Sequence, residues 1–328
     1  MAKTYQKLRD MLGAEVLGLL MFLVVVVIGF GFASPRFLSA ANLGSMAFQL
    51  PELGLLTLAM LVPILTGGLN LAITFTANIS GLTLAWVLQS NGGVDAPTSA
   101  FVIGVIAALA VGTLAGFVMG VVIAYVGAHP ILVSLAMMIF LRGLGEFLTH
   151  GGDISGFPEY IQPIGHGFFL GIPIPLLILL FAAVGWHLML SRTRHGFAAY
   201  MLGSNIEATR YSGIHTKRTL TLVYTFSGTM CALAGIVMLS RFNSVRVGHG
   251  EAYILITVLA CFLGGVDPFG GFGRVFPVVM ALVILQVLSS GLNLLGANQH
   301  LATAVWGLFL IAVMVIRWIW NRFARKQY

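Results

Sequence analysis

Apolar residues run in long blocks along this chain, and a window of about 19 residues picks out ten candidate membrane-spanning helices. They lie near 14–33, 46–66, 69–89, 100–126, 130–148, 172–190, 219–240, 252–266, 273–292 and 301–320. Two neighbouring pairs, around 66–69 and 266–273, are divided only by glycine-rich breaks. The pattern predicts an all-α polytopic membrane protein of about ten transmembrane helices, with Gly-broken segments. It forms a single transmembrane domain over 1–328, because the largest gaps, 149–171 and 191–218, are too short to fold around cores of their own. The first apolar run, 16–32, is longer than the roughly 7–15 residues of a signal peptide's apolar region and reads as an uncleaved span.

The polar interruptions carry the chemistry. Segment 191–218 (SRTRHGFAAYMLGSNIEATRYSGIHTKR) holds Arg192, Arg194, Arg210, Lys217 and Arg218. Ser204 and Glu207 stand three apart, the spacing of a capping box, and Gly213 supplies a helix stop. The segment therefore predicts a short capped helix in water between two membrane blocks. That is the form of a docking element, or of a solvated loop whose charges set topology.

Two stretches share one pattern, an apolar run stopped by paired glycines and a polar residue: I-L-T-G-G-L-N-L at 64–71 and F-L-G-G-V-D-P-F-G-G-F-G-R at 262–274. Gly67, Gly68, Gly264, Gly265, Gly270 and Gly271 are the candidate helix breaks. Such interruptions at matching places mark the moving parts of a transporter, or tight turns with close glycine packing. Asn70, Thr74 and Asn78 recur every four residues and are expected along one helical stripe, lining a solute path or bonding across helices. Arg142 and Glu146, four apart, are expected to pair.

Composition agrees: 59% of residues are apolar and 8% charged, against roughly 25% charged in an ordinary soluble domain. The net charge of +7 reads as positive-inside topology rather than nucleic-acid binding. Thirteen of the 17 Lys and Arg fall on the side of the 191–218 loop, which puts both termini in the cytoplasm; Arg36, Arg241 and Arg246 fall outside, and Arg142 lies in or near a span. Cys231 and Cys261 sit within apolar runs, and the eight His lack ligand spacing, so neither a disulfide framework nor a metal site is indicated. No nucleophile–base pair stands out, and no G-x-x-x-x-G-K-[ST] occurs. The chain reads as a non-enzyme, and any ATP chemistry must come from a partner. Carboxylates lie mostly toward span ends or in loops, which disfavours an ion-coupled transporter without excluding an ATP-independent facilitator.

The run T-R-H-G-F…Y-M-L-G-S-N-I-E-A-T-R-Y-S-G-I (193–214) resembles the cytoplasmic loop of sugar-type permeases of bacterial ABC importers, the ribose-permease family. T-G-G-L-N-L-A (66–72) is similar to that family's S-G-G-I-D-L-S. L-G-G (263–265) with G-G-F-G-R (270–274), A-M-M…L-R-G (136–143) and G-L-N-L-L-G (291–296) match further motifs in order. Asn70 and Ala72 stand where the family usually has Asp and Ser, a departure that marks either one member of a heteromeric pair or a subfamily trait, so that the permease dimer is a homo- or heterodimer. The resemblance implies a permease subunit in the bacterial inner membrane that carries a sugar or sugar-like solute. It also implies a coupling helix for ATPase docking built from Gly203, Ser204, Asn205, Glu207, Ala208, Arg210, Ser212 and Gly213. The implied partners are a second permease chain, ABC ATPase subunits holding ATP and Mg, a periplasmic or lipid-anchored solute-binding protein, and the lipid bilayer.

Overall fold

A computed structural model describes residues 14–297, 301, 304–312 and 315. The tenth expected span lies partly outside the described residues, and the basic segment 1–10 wholly so. In chain order the helices are α1 (Ala14–Ala33), α2 (Ala40–Leu65), α3 (Ile73–Ser90), α4 (Thr98–Val121), α5 (Pro130–Thr149), α6 (Gln162–His166) and α7 (Ile174–Arg192). Then come α8 (Arg194–Ser204), α9 (Ile206–Tyr211), α10 (Thr216–Phe242), α11 (Tyr253–Leu263) and α12 (Val275–Leu294). Among the described residues seven helices are long and apolar enough to cross a membrane: α1, α2, α4 with its continuation to Val126, α5, α7, α10 and α12. The chain is a multi-pass membrane protein.

The expected spans at 69–89 and 252–266 form α3 and α11, which miss that test for different reasons. Thr74, Thr76, Asn78 and Ser80 dilute the apolar character of α3. Helix α11 has 11 residues, about 16 Å of rise, and cannot cross the roughly 30 Å of a bilayer core alone.

Burial separates the inside of the bundle from its lipid-facing rim. Helix α2 is 83% buried across its most apolar window, whereas α1 and α5 are 17% buried. The rim therefore shows Leu, Ile and Phe to lipid. Inside, α4 packs its backbone on α10 through Gly112, Gly116 and Gly120, spaced one turn apart, while Gly104 on the same helix lies against Leu84 and Val87 of α3. A Cβ on Gly116 would run into the Tyr224 carbonyl, and one on Gly228 into that of Gly112. Successive passes alternate between two faces, one bearing α8 and α9. On the opposite face β1 (Ile154–Ser155) pairs antiparallel with β4 (Ser244–Val245), and β2 (Phe168–Phe169) with β3 (Ile172–Pro173).

Candidate functional site

Both glycine breaks close their helices in the same way. After α2 the chain turns at Gly67 (φ 79°), whose N–H donates to Ile64 at 2.9 Å while that of Gly68 donates to Pro63 at 3.0 Å. After α11 it turns at Gly265 (φ 88°), whose N–H donates to Phe262 at 3.1 Å while that of Val266 donates to Cys261 at 3.0 Å. This pair of bonds is the Schellman motif, which needs a left-handed residue that glycine supplies without a Cβ penalty. Within each pair the other glycine makes room. A Cβ on Gly68 would meet Pro130 Cβ at 3.0 Å, and one on Gly264 would stand 2.5 Å from Val278 Cα.

The second break folds back over the first. Gly271 N–H donates to the Leu65 carbonyl at 2.8 Å, satisfying one of the carbonyls that the end of α2 leaves open. A Cβ on Gly270 would lie 2.6 Å from Gly67 N and 3.0 Å from Gly203 Cα, and one on Gly271 would lie 3.0 Å from Ser204 Cα. The third partner is α8, where a Cβ on Gly203 would run into the Leu65 carbonyl. Next to this contact the Tyr200 hydroxyl donates to Gly273 O at 2.7 Å. Burial pushes the Tyr200 phenol up, partly opposed by Arg274. Three segments far apart in sequence thus meet backbone to backbone. Helix α8 stands between two clefts, one of about 780 Å³ toward residues 271–277 and one of about 1050 Å³ toward the start of α10.

From this junction the chain runs into the short helix that the loop predicts. Its N-cap is Asn205, whose Oδ1 accepts from Ala208 N–H at 2.9 Å. The expected capping box at Ser204 and Glu207 does not form, because Ser204 is the last residue of α8 and the backbone leaves helical geometry only at Asn205 (φ −160°, ψ 109°). Glu207 instead faces Arg210 at 3.8 Å. At Gly213 (φ 79°) the helix stops as expected, in a third Schellman motif with Gly213 N–H on Arg210 and Ile214 N–H on Thr209. Ser204, Asn205, Glu207, Ala208, Arg210, Ser212 and Gly213 are all exposed, while Thr209 is buried beneath them.

Asn70, Thr74 and Asn78 are all buried, but they do not share one helix. The turn at Gly67 keeps the chain irregular until Ile73, so only Thr74 and Asn78 lie on α3, one turn apart. Asn70 Nδ2 donates to Ser227 Oγ at 2.8 Å, and its Oδ1 accepts from Ala72 N–H at 3.0 Å. Ser227 Oγ in turn donates to the Ala59 carbonyl at 2.7 Å. Pro63, four residues on, has no N–H to offer that carbonyl. Asn70 thereby braces the first break to α10. Among the described residues Thr74 Oγ1 and Asn78 Nδ2 have no hydrogen-bond partner, and Asn78 borders a small crevice beside His249.

Residues 42–316 match the family described as branched-chain amino acid transport system / permease component. The chain belongs to this permease family. It is 34% identical over 315 residues to the ribose import permease protein RbsC of Bacillus subtilis (strain 168), covering 95% of this chain and 93% of that protein. It is 28% identical over 301 residues to the autoinducer 2 import system permease protein LsrD of Salmonella typhi, covering 90% and 89%. The LsrD of Photorhabdus temperata is 27% identical over 305 residues, covering 91% and 90%. No solved structure matches the chain.

Several contacts of the permease had no sequence signal. Glu52 on α2 pairs with Arg241 on α10 at 2.5 Å, 189 residues apart. The expected Arg142–Glu146 pair forms at 3.0 Å, and Arg142 also reaches Glu251 at 3.2 Å. The approach of Gly203 to Leu65 was equally hidden, since spacing within one segment says nothing about which distant backbone it meets.

Proposed function

We propose that the chain is the membrane-spanning permease subunit of an ATP-driven ABC importer for a sugar or sugar-like solute, working by alternating access. The likeness to a ribose import permease and to autoinducer 2 permeases over nine-tenths of the chain supports the solute class. One observation carries the mechanism: Gly203 is interlocked with the Leu65 carbonyl and with Gly270.

In this reading the face bearing α8 and α9 is cytoplasmic, both termini lie there, and the membrane is the bacterial inner membrane. The whole of 1–328 acts as one transmembrane domain. ABC ATPase subunits holding ATP and Mg dock on the exposed helix around Asn205–Ser212, and closure of the ATPase pair displaces it. Helix α8 moves with it, and Gly203 transmits the motion to the end of α2 and to the 264–274 break. Gly67, Gly68, Gly264, Gly265, Gly270 and Gly271 let the two breaks shift against each other without side chains in the way. A second permease chain, identical or paralogous, completes the pathway, and a solute-binding protein engages the opposite face around 149–171. Thr74 and Asn78 offer polar atoms to the path, and Asn70 holds the start of α3 in place.

The test is ATP hydrolysis in proteoliposomes carrying this chain and its co-expressed ATPase, with and without loaded binding protein. Stimulation that needs the binding protein and collapses in Gly203→Trp is the expected result. If the ATPase fails to co-purify and sugar still crosses vesicles carrying this chain alone, the protein is a facilitator.

A further inference from the structure

Polar side chains from four helices gather at one place toward the β1–β4 face of the bundle, on helices other than α3. Gln49 on α2 and Gln286 on α12 meet amide to amide, with Gln286 Nε2 donating to Gln49 Oε1 at 3.1 Å. Gln49 Nε2 donates onward to Ser45 Oγ at 2.9 Å. The two glutamines line a cavity of about 60 Å³ together with Tyr253, Ser289 and Trp306. One turn along α2 from Gln49, Glu52 is fully buried. Arg241 from α10 pairs with its Oε1. Tyr253 stands beside that carboxylate and also faces the cavity.

A contact built for helix adhesion alone would be close-packed, as protein interiors are. This one is hollow, with room for a few water-sized groups. Its wall combines amides, each both donor and acceptor, with two hydroxyls, an indole and the aliphatic side chains of Leu53, Ile256 and Leu285. Vicinal hydroxyls call for the amides, and the C–H face of a sugar calls for a flat aromatic wall.

We infer that this cavity is a hydroxyl-binding subsite on the solute's route, with Gln49 and Gln286 as its hydrogen-bonding pair and Trp306 as its apolar wall. The inference rests on the sugar reading above. The cavity admits one or two hydroxyls of a polyhydroxylated solute, not a whole ring, so it engages the solute in passing and does not trap it.

The experiment uses proteoliposomes of the full chain with its ATPase and binding protein. Uptake of D-ribose, D-glucose, myo-inositol and uridine by the wild type comes first, and whichever crosses becomes the probe. Ser289→Cys, in a chain with Cys231→Ala and Cys261→Ala, is then exposed to a small water-soluble methanethiosulfonate during turnover. Labelling that the probe slows several-fold is expected. In a chain that retains its cysteines, Gln286→Leu is expected to raise the uptake KM several-fold, with partial rescue by Gln286→Glu. If no probe crosses, the sugar reading and this inference fall together. If a probe crosses but the thiol introduced by Ser289→Cys stays unlabelled or unprotected and Gln286→Leu leaves KM unmoved, the subsite alone is overturned.

Discussion

Gly271 donates its N–H to the Leu65 carbonyl across 2.8 Å, so the end of α2 is hydrogen-bonded to the loop that leads into α12. Gly203 of α8 lies against the same carbonyl. One backbone oxygen at the first glycine break is therefore met by both the α8–α9 unit and the second break.

Glycine substitutions separate this contact from ordinary backbone strain. Gly203→Ala places a Cβ against backbone that cannot rotate away, and overpacking of this kind costs about 1–3 kcal/mol. Gly213→Ala has open space around it and costs only the left-handed conformation, about 1–2 kcal/mol. Thermal unfolding in detergent should rank Gly203→Ala at least as damaging, and ATPase stimulation should fall much further in that variant. A coupling defect confined to Gly213→Ala would contradict the assignment.

The start of α9 gives a sharper test. Asn205→Ala removes the hydrogen bond to Ala208 and should cost about 1 kcal/mol of local helix stability, read as faster amide exchange over 208–211. Ser204→Ala, which removes no cap, should leave those amides unchanged. Equal effects of the two would restore the capping box.

Ser227 links a stranded carbonyl to the first break. Ser227→Ala leaves the Ala59 carbonyl and the Asn70 amide unsatisfied in a buried site, at about 1–3 kcal/mol. A double-mutant cycle with Asn70→Leu should show coupling of at least about 0.5 kcal/mol. Additivity would mean that the relay contributes nothing jointly.

Two arginines on the opposite face should behave differently. Arg241→Met strands the fully buried Glu52 carboxylate and should destabilise by about 3–5 kcal/mol, with Glu52→Gln/Arg241→Met milder than the single change. Arg142→Met breaks pairs that are half exposed and should barely move the melting temperature. Chemical or thermal unfolding of the three variants measures the contrast.

Burial and the nearby Arg246 hold His249 below its ordinary value of 6.5, with Asp153 opposing. The unfolded chain therefore binds this proton more readily than the folded one. Stability from this group is present above about pH 6.5 and falls as pH drops toward the depressed folded value. His249→Gln should flatten that part of the stability–pH curve; an unchanged slope would show that His249 does not report on folding.

What the sequence revealed follows from how local each signal is. Long apolar blocks and paired glycines announce themselves, so the all-α multi-pass class and both glycine turns were legible, although seven helices among the described residues are long and apolar enough to cross a membrane where ten spans were expected. The cap was misplaced by one residue because Ser204 and Asn205 are both competent caps, and only backbone geometry decides between them. The stripe of Asn70, Thr74 and Asn78 presumed a helix already running at Asn70, whereas the Schellman turn at Gly67 delays α3 to Ile73. The Glu52–Arg241 pair and the Gln49–Gln286 contact join residues about 190 and 240 apart, beyond any periodicity.

Helix α10 runs 27 residues without a proline, about 40 Å, from the end of the α8–α9 loop to strand β4. At that far end β4 is stitched to β1 in the 149–171 segment. Its middle rests on α4 through bare backbone at Gly112, Gly116 and Gly228. One helix therefore joins the 149–171 side to the α8–α9 side, with close backbone contacts along its middle. In the importer reading proposed above, a shift on the β1 side would be felt at the Thr216 end through that one helix.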